Sequence, residues 1–340
     1  MSKSSSIATI DLAKFIFSLL VIAIHTSPLY QSSYWGNFVL IQYLGRYAVP
    51  FFFIASGYFI AQKQTDSFKF KSIFNQLKSL LIIYALWSCI YFPFQSRDVY
   101  HHLFKTINLA TIHEYFLRAT YIGSYFHLWY FVALIQAIIL YRFLIQYLNI
   151  DTLILIFTFI YLFGLLGDGY YNLNSYLHTS DIILFIREHL GGTRNGFFMG
   201  TIFVLIGAKI ATIDISKINT TKLWLLFIGF TLAHLLEVIF IKKYYLGKDY
   251  NMTLFLLPAS TFMFILILKS ELKFNFSTIK LRQYSTYIYC FHPLVIILGS
   301  AFAFNNNSLM RYFFVLGVSI IAAIIITESQ KKIKLFLKKD

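Results

Sequence analysis

The sequence predicts an all-α fold: a polytopic integral membrane bundle of about ten transmembrane helices, forming a single domain over residues 1–340. Three observations predict it. The chain is 58% hydrophobic, 20% aromatic and only 13% charged, and its mean hydropathy is +0.67, a composition that excludes an ordinary soluble domain. Its apolar residues fall in runs of membrane-crossing length. Its basic residues gather in alternate connections between those runs.

The runs lie at 11–30, 38–61, 73–93, 127–148, 152–167, 196–211, 221–241, 251–268, 283–304 and 309–328. The first, "DLAKFIFSLLVIAIHTSPLY", is too long and lacks the small-residue cleavage site of a signal peptide, so it is expected to remain as a span. In the second, Pro50 loosens the helix and Ser56-Gly57 permits close approach of another helix or a ligand. The third follows Lys69, Lys71 and Lys78. The fourth opens on "HLWYFVALI", and "GDGYY" and "TRNGFF" mark the turns after the fifth and before the sixth. The seventh carries His234 and Glu237, three residues apart and therefore on one face. The ninth holds "YSTYIYCFHPLV", and the tenth runs into the tail "KKIKLFLKK". Cys89 and Cys290 each lie inside an apolar run, a packing pattern rather than a metal or redox one.

An even number of spans puts both termini on one side. Most of the 29 basic residues fall there, in the 63–78 and 209–222 connections, around 269–282 and in the tail, so both termini are expected to be cytoplasmic in the cell membrane. The exception is "KKYYLGKD", residues 242–249, on the expected outer side. The net charge of +15 reports this bias and contact with anionic membrane lipid; no nucleic-acid partner is expected.

Within the first span Lys14 and His25 are eleven residues apart, a rotation of about 20° beyond three full turns and about 16.5 Å of rise. They share a face. Lys14 either snorkels to the headgroups or holds an anion. An imidazole at this depth faces protein or water, as a packed core residue or as a proton acceptor for a hydroxyl. Arg46, about 12 Å below the outer end of the second span if that span starts near residue 38, needs an anion, a carbonyl or a water-filled cavity. His127 and Trp129 start the fourth span at the outer interface, and Arg194 and Asn195 enter the sixth. For each of these, interface anchoring and a place at a ligand's mouth are both open. Asp168 reads as a turn and cap residue. His292, before Pro293, stands about 13 Å into the ninth span if that span begins near 283, packed or lining a site.

The lysine-x10-histidine spacing of the first span, "VPFFFIASGYFI", "HLWYFVALI" and "YSTYIYCFHPLV" together resemble acyltransferase family 3, over about residues 10–330. "IDLAKF…VIAIHTSPL", "RYAVPFFFIASGYF", "LFGLLGDGYY" and "TRNGFF" are especially similar to the branch formed by the membrane half of VanT-type serine racemases. The sequence runs to Asp340, and the racemase activity and pyridoxal phosphate of that branch are not expected of it.

The resemblance implies a ten-span enzyme that moves an acyl group, as in O-acetylation, from cytoplasmic acyl-CoA (acetyl-CoA first) to a hydroxyl of an envelope glycan or related acceptor outside, with no metal. His25 matches the family's catalytic base. Lys14 stands where arginine is usual, and with Ser56, Lys69, Lys71 and Lys78 it is implied to contact the acyl-CoA; lysine lacks the bidentate fork that suits phosphate. Arg46 is implied to stabilise an oxyanion, and Glu237 to orient His25 or bind the acceptor. His127, Trp129, Arg194, Asn195 and His292 are expected to line the acceptor's path. The rival reading is a transporter of L-serine or a similar amino acid, with Arg46 on the carboxylate. A non-catalytic envelope partner stands third, and a homo-oligomer is open.

Overall fold

A computed structural model describes residues 7–63, 70–94, 116–270, 272, 275, 277–299 and 307–336. Among them the secondary structure is helical throughout: α1 (Ala8–Thr26), α2 (Tyr34–Phe38), α3 (Ala48–Gln62), α4 (Phe70–Tyr91), α5 (Trp129–Leu144), α6 (Ile150–Gly164), α7 (Ser180–Leu190), α8 (Thr201–Ile210), α9 (Thr220–Lys243), α10 (Leu256–Lys269), α11 (Ile279–Gly299) and α12 (Ser308–Phe336). The fold class is the expected all-α membrane bundle.

Among the described residues six helical stretches are long and apolar enough to cross a membrane: Ala8–Thr26, Tyr34–Gln62, Ser72–Phe94, Ile150–Gly167, Thr220–Lys243 and Ser308–Lys332. The other four expected spans correspond to the shorter apolar helices Trp129–Leu144, Gly196–Ile210 and Leu256–Lys269, and to α11, whose first turns carry Lys280, Arg282 and Gln283. On α9 the exposed residues Ile228, Leu232, Leu236 and Phe240 recur every fourth position, while Leu223, His234, Glu237 and Val238 are buried. That is an apolar face for lipid and a mixed face for protein.

The chain divides into two compact units: residues 1–48, 219–224 and 262–340, and residues 49–218 and 225–261. In the first, α1, α11 and α12 pack around Ile22, Ile288, Val295, Val315 and Ala323. Polar contacts pin α1 at both ends. Near its start Asp11, fully buried, accepts from Thr278 Oγ1 at 3.3 Å and lies 3.9 Å from Arg282 Nε. At its end Arg311 donates to the Thr26 carbonyl at 2.6 Å, and Ser308 donates to that of Pro28 at 2.9 Å. The helix stops at Thr26, short of the expected residue 30, because Ser27 takes a left-handed conformation (φ 51°) and Pro28 disfavours helical geometry in the residue before it.

In the second unit, α3 and α8 cross at backbone contact. A Cβ on Gly57 would lie 2.0 Å from the Val204 carbonyl oxygen, and one on Gly207 would lie 2.0 Å from that of Ile54. The Ser-Gly pair of the sequence is thus half explained by packing. Asn149 caps α6 by accepting from Thr152 N at 2.8 Å. Buried Phe51, Phe53, Phe157, Tyr161 and Phe203 fill the space between α3, α6 and α8.

Candidate functional site

In the first unit, two residues singled out from the sequence come together, and a third, Arg46, sits on a turn packed against the same helix. His25 lies in the last turn of α1, and its exposed ring stacks on that of His292, with centroids 5.2 Å apart and planes inclined at 28°. His292 is fully buried, and its Nδ1 is 3.1 Å from the Ile288 carbonyl, which fixes the ring and makes that nitrogen the protonated one. Because α11 begins at Ile279, His292 stands about 20 Å along its helix, deeper than the sequence suggests. Arg46 follows Gly45, where a Cβ would lie 2.7 Å from Ile24 Cγ1, so the turn carrying Arg46 packs on the residue next to His25.

The turn has a local cause. Pro50 lacks an N–H and its ring would strike the carbonyl four residues back, that of Arg46. The chain accordingly passes from a π-helix, Val39–Leu44, through a 3-10 turn, Gly45–Tyr47, before α3 begins. Irregular helix of this kind recurs at functional sites. The Arg46 guanidinium is steadied by Gln42 Oε1, which accepts from Nε at 3.0 Å and from one terminal nitrogen. With the helical run starting at Tyr34, Arg46 is about 18 Å in, not 12 Å. Lys14, half-buried, sits about three turns before His25 on the same face.

Around the connections 168–195 and 244–255, the second unit holds the other candidates. Arg194 lies over the Trp129 ring, 4.9 Å from its centroid, and 3.9 Å from Asp249, so two expected acceptor-side residues do meet. Asn195 is a cap: its Oδ1 accepts from Phe198 N at 3.0 Å and its Nδ2 donates to the Gly192 carbonyl at 2.9 Å. His127, 1% exposed, stands edge-on to Tyr91 at 4.7 Å and to Tyr125 at 5.7 Å, inside an aromatic cluster. Glu237 holds the 244–255 connection. Its carboxylate accepts from Leu254 N at 2.6 Å, Phe255 N at 2.8 Å and the Tyr170 hydroxyl at 2.7 Å. Asp168 does the same work from the other side, accepting from Met252 N and Asn251 Nδ2, both at 3.0 Å. Burial first, and then the neighbouring Glu237 carboxylate, push the Tyr170 phenol up from its ordinary pKa, and it stays a donor.

On the donor side, Ser56 Oγ donates to the Phe52 carbonyl at 2.8 Å and bonds with Tyr130. Lys78 is exposed on α4, Lys71 belongs to the first turn of the same helix, and Lys69 lies outside the described residues. In the sequence Arg142 reads only as one more inner charge. It is 2% exposed, and its Nε has no hydrogen-bond partner. The signal that could have found it is its position at the end of an otherwise apolar α5, where burial of a cation is costly without an anion. No group of His, Cys, Asp and Glu able to hold a metal occurs among the described residues.

The described residues thus form an all-α membrane bundle in which two imidazoles stack between α1 and α11. The chain belongs to the acyltransferase domain family, which it matches over residues 7–328. It is similar to two amino-acid racemases of Enterococcus faecalis, 30% identical over 346 residues and 26% over 339, covering 98% and 97% of this chain. A serine/alanine racemase of Enterococcus gallinarum is 27% identical over 318 residues, 92% of the chain. The chain spans about half the length of these relatives, 47%, 47% and 44%. No solved structure matches it.

Proposed function

We propose that the protein moves an acyl group, acetyl in the first instance, from cytoplasmic acyl-CoA to a hydroxyl of an envelope glycan or related acceptor outside the membrane. The carrying observation is the His25–His292 stack, with the turn that carries Arg46 packed against Ile24 next to His25. His25 takes the proton of the acceptor hydroxyl as its oxygen attacks the thioester carbonyl carbon. Arg46 stabilises the tetrahedral oxyanion, which collapses with cleavage of the carbon–sulfur bond; the departing thiolate receives the proton. His292, tied to the Ile288 carbonyl, holds the His25 ring in plane. In this reading Lys14, Lys69, Lys71 and Lys78 are the contacts of the CoA phosphates. Ser56 lies along the pantetheine path. Trp129, Arg194 and Asn195 shape the acceptor side, with His127 packed behind them. Glu237 keeps the acceptor-side connection in place. Both termini are cytoplasmic in this reading.

One observation favours a second reading: the similar proteins are racemases, two of them named for amino acids and one for serine and alanine. In it Arg46 binds the carboxylate of L-serine and no acyl donor takes part. The deciding experiment uses purified protein in lipid vesicles. Acyl-CoA-dependent acylation of envelope glycan, followed by mass spectrometry, should fall about 100- to 10,000-fold in His25→Ala while donor binding persists. Movement of radiolabelled L-serine without any acyl-CoA binding or turnover would replace acyl transfer with transport.

A further inference from the structure

A cavity of about 260 Å³ opens among the 167–171, 187–194 and 248–251 segments of the second unit, lined by residues that include Asp168, Tyr171, Arg187, Thr193, Arg194 and Lys248. Its two carboxylates are occupied by the protein itself. Asp168 accepts from Met252 N and Asn251 Nδ2, and Asp249 accepts from Tyr250 N at 2.8 Å and Asn251 Nδ2 at 2.6 Å.

The cations are committed far less. Arg194 lies over the Trp129 ring at 4.9 Å and reaches Asp249 only at 3.9 Å. Lys248 Nζ lies 5.8 Å from the centre of the Tyr171 ring. Arg187 projects from the last turn of α7 into the wall of the cavity. Behind them Thr193, 2% exposed, keeps a buried Oγ1 with no hydrogen-bond partner, a condition that costs free energy until a ligand or water satisfies it. Lys248 belongs to "KKYYLGKD", the stretch that departs from the charge bias of the other connections, and its place on the cavity gives that departure a local reason.

We infer that this cavity is a binding site for a phosphoryl group carried on a small hydroxylated compound. Two forked guanidiniums and an ammonium suit phosphoryl oxygens, and Tyr171 offers a ring face to a sugar or polyol. The volume lies below the roughly 300–1,000 Å³ of sites for drug-sized ligands, which fits one polyol or monosaccharide unit rather than an oligosaccharide. The inference rests on the acyl-transfer reading in one respect: the phosphorylated compound is the hydroxyl acceptor, or the unit of it that docks. The same phosphoryl chemistry is offered by a soluble polyol phosphate and by a lipid headgroup.

The test is calorimetric titration of the full chain with sn-glycerol 3-phosphate, without acyl-CoA, in nanodiscs of phosphatidylcholine and in nanodiscs containing phosphatidylglycerol. Saturable, salt-sensitive binding is expected in the neutral discs. It should weaken about ten-fold in each of Arg187→Gln, Arg194→Gln and Lys248→Gln. Loss of that binding in the phosphatidylglycerol discs alone identifies the lipid headgroup as occupant; equal binding in both identifies the soluble ester. No binding in neutral discs, or binding unchanged in the triple Arg187→Gln, Arg194→Gln, Lys248→Gln protein, overturns the site. Because donor and turnover are absent, a failure here leaves His25-dependent acyl-CoA chemistry standing, and a failure of that chemistry leaves this binding standing.

Discussion

Lys14 is where a single side chain carries the most testable chemistry. Arginine at this position would present a planar fork to a phosphate, whereas lysine presents one point charge on a flexible stem. Lys14→Arg is expected to keep or tighten acyl-CoA binding, and Lys14→Ala to weaken it about ten-fold, read by equilibrium binding of labelled acyl-CoA to protein in lipid. Equal affinity in all three proteins would show that the amine only snorkels to the headgroups. His25 and His292 differ from Lys14 in being set by their neighbours. One ring is exposed and the other fully buried, and their stack exists because α1 and α11 pack along one another. Neither spacing nor residue type pairs positions so far apart in the chain.

The 244–255 connection is held by polar side chains. Glu237 on α9 receives two backbone N–H groups and a phenol, Asp168 receives one N–H and one amide, and the Tyr161 hydroxyl donates to the Thr253 carbonyl at 2.8 Å. Removing a buried acceptor leaves its donors dry, at a cost of about 1–3 kcal/mol each. Glu237→Gln preserves the shape but turns an amide against one of those donors, so the variant should lose about 2–3 kcal/mol of local stability. Faster amide hydrogen exchange at 251–256, with α1 and α11 unchanged, is the expected readout. Unaltered exchange there would show that the carboxylate is not what holds the segment. A seventh-span acid read from sequence alone invites a catalytic role; only the chain returning beside it reveals the use of both oxygens.

For the molecule as a whole, the distribution of lysine and arginine sets the expected orientation. In a Cys89→Ser background, a cysteine at Ser175 should react with an impermeant thiol reagent on intact cells, and one at Lys217 should be shielded until the membrane is opened. Ser175 and Lys217 stand in connections on opposite sides of the expected bilayer, and both are exposed. The reverse pattern would invert the topology and move the acyl-CoA side outward. The charge pattern has one tension, the lysines of 242–249, and the orientation test also decides whether Lys248 and its cavity face the outside.

The sequence by itself determined the class and the family, and marked the apolar runs in which the helices lie. Hydrophobic runs of membrane length admit little but helices, since every backbone polar group in lipid must be satisfied within the segment. His25, Arg46 and Asp168 were legible because polar groups in apolar surroundings, or at a glycine-flanked turn, carry a physical demand that residue type alone announces. The tertiary structure decided what satisfied each demand. It stacked His292 on His25, turned Arg46 onto Gln42 through the break before Pro50, gave Glu237 to the backbone of 254–255, and buried Arg142. It also gathered Arg187, Thr193, Arg194 and Lys248 around one cavity. These outcomes depend on contacts between residues distant in the chain, where packing and hydrogen-bond completion, rather than local periodicity, set the free energy.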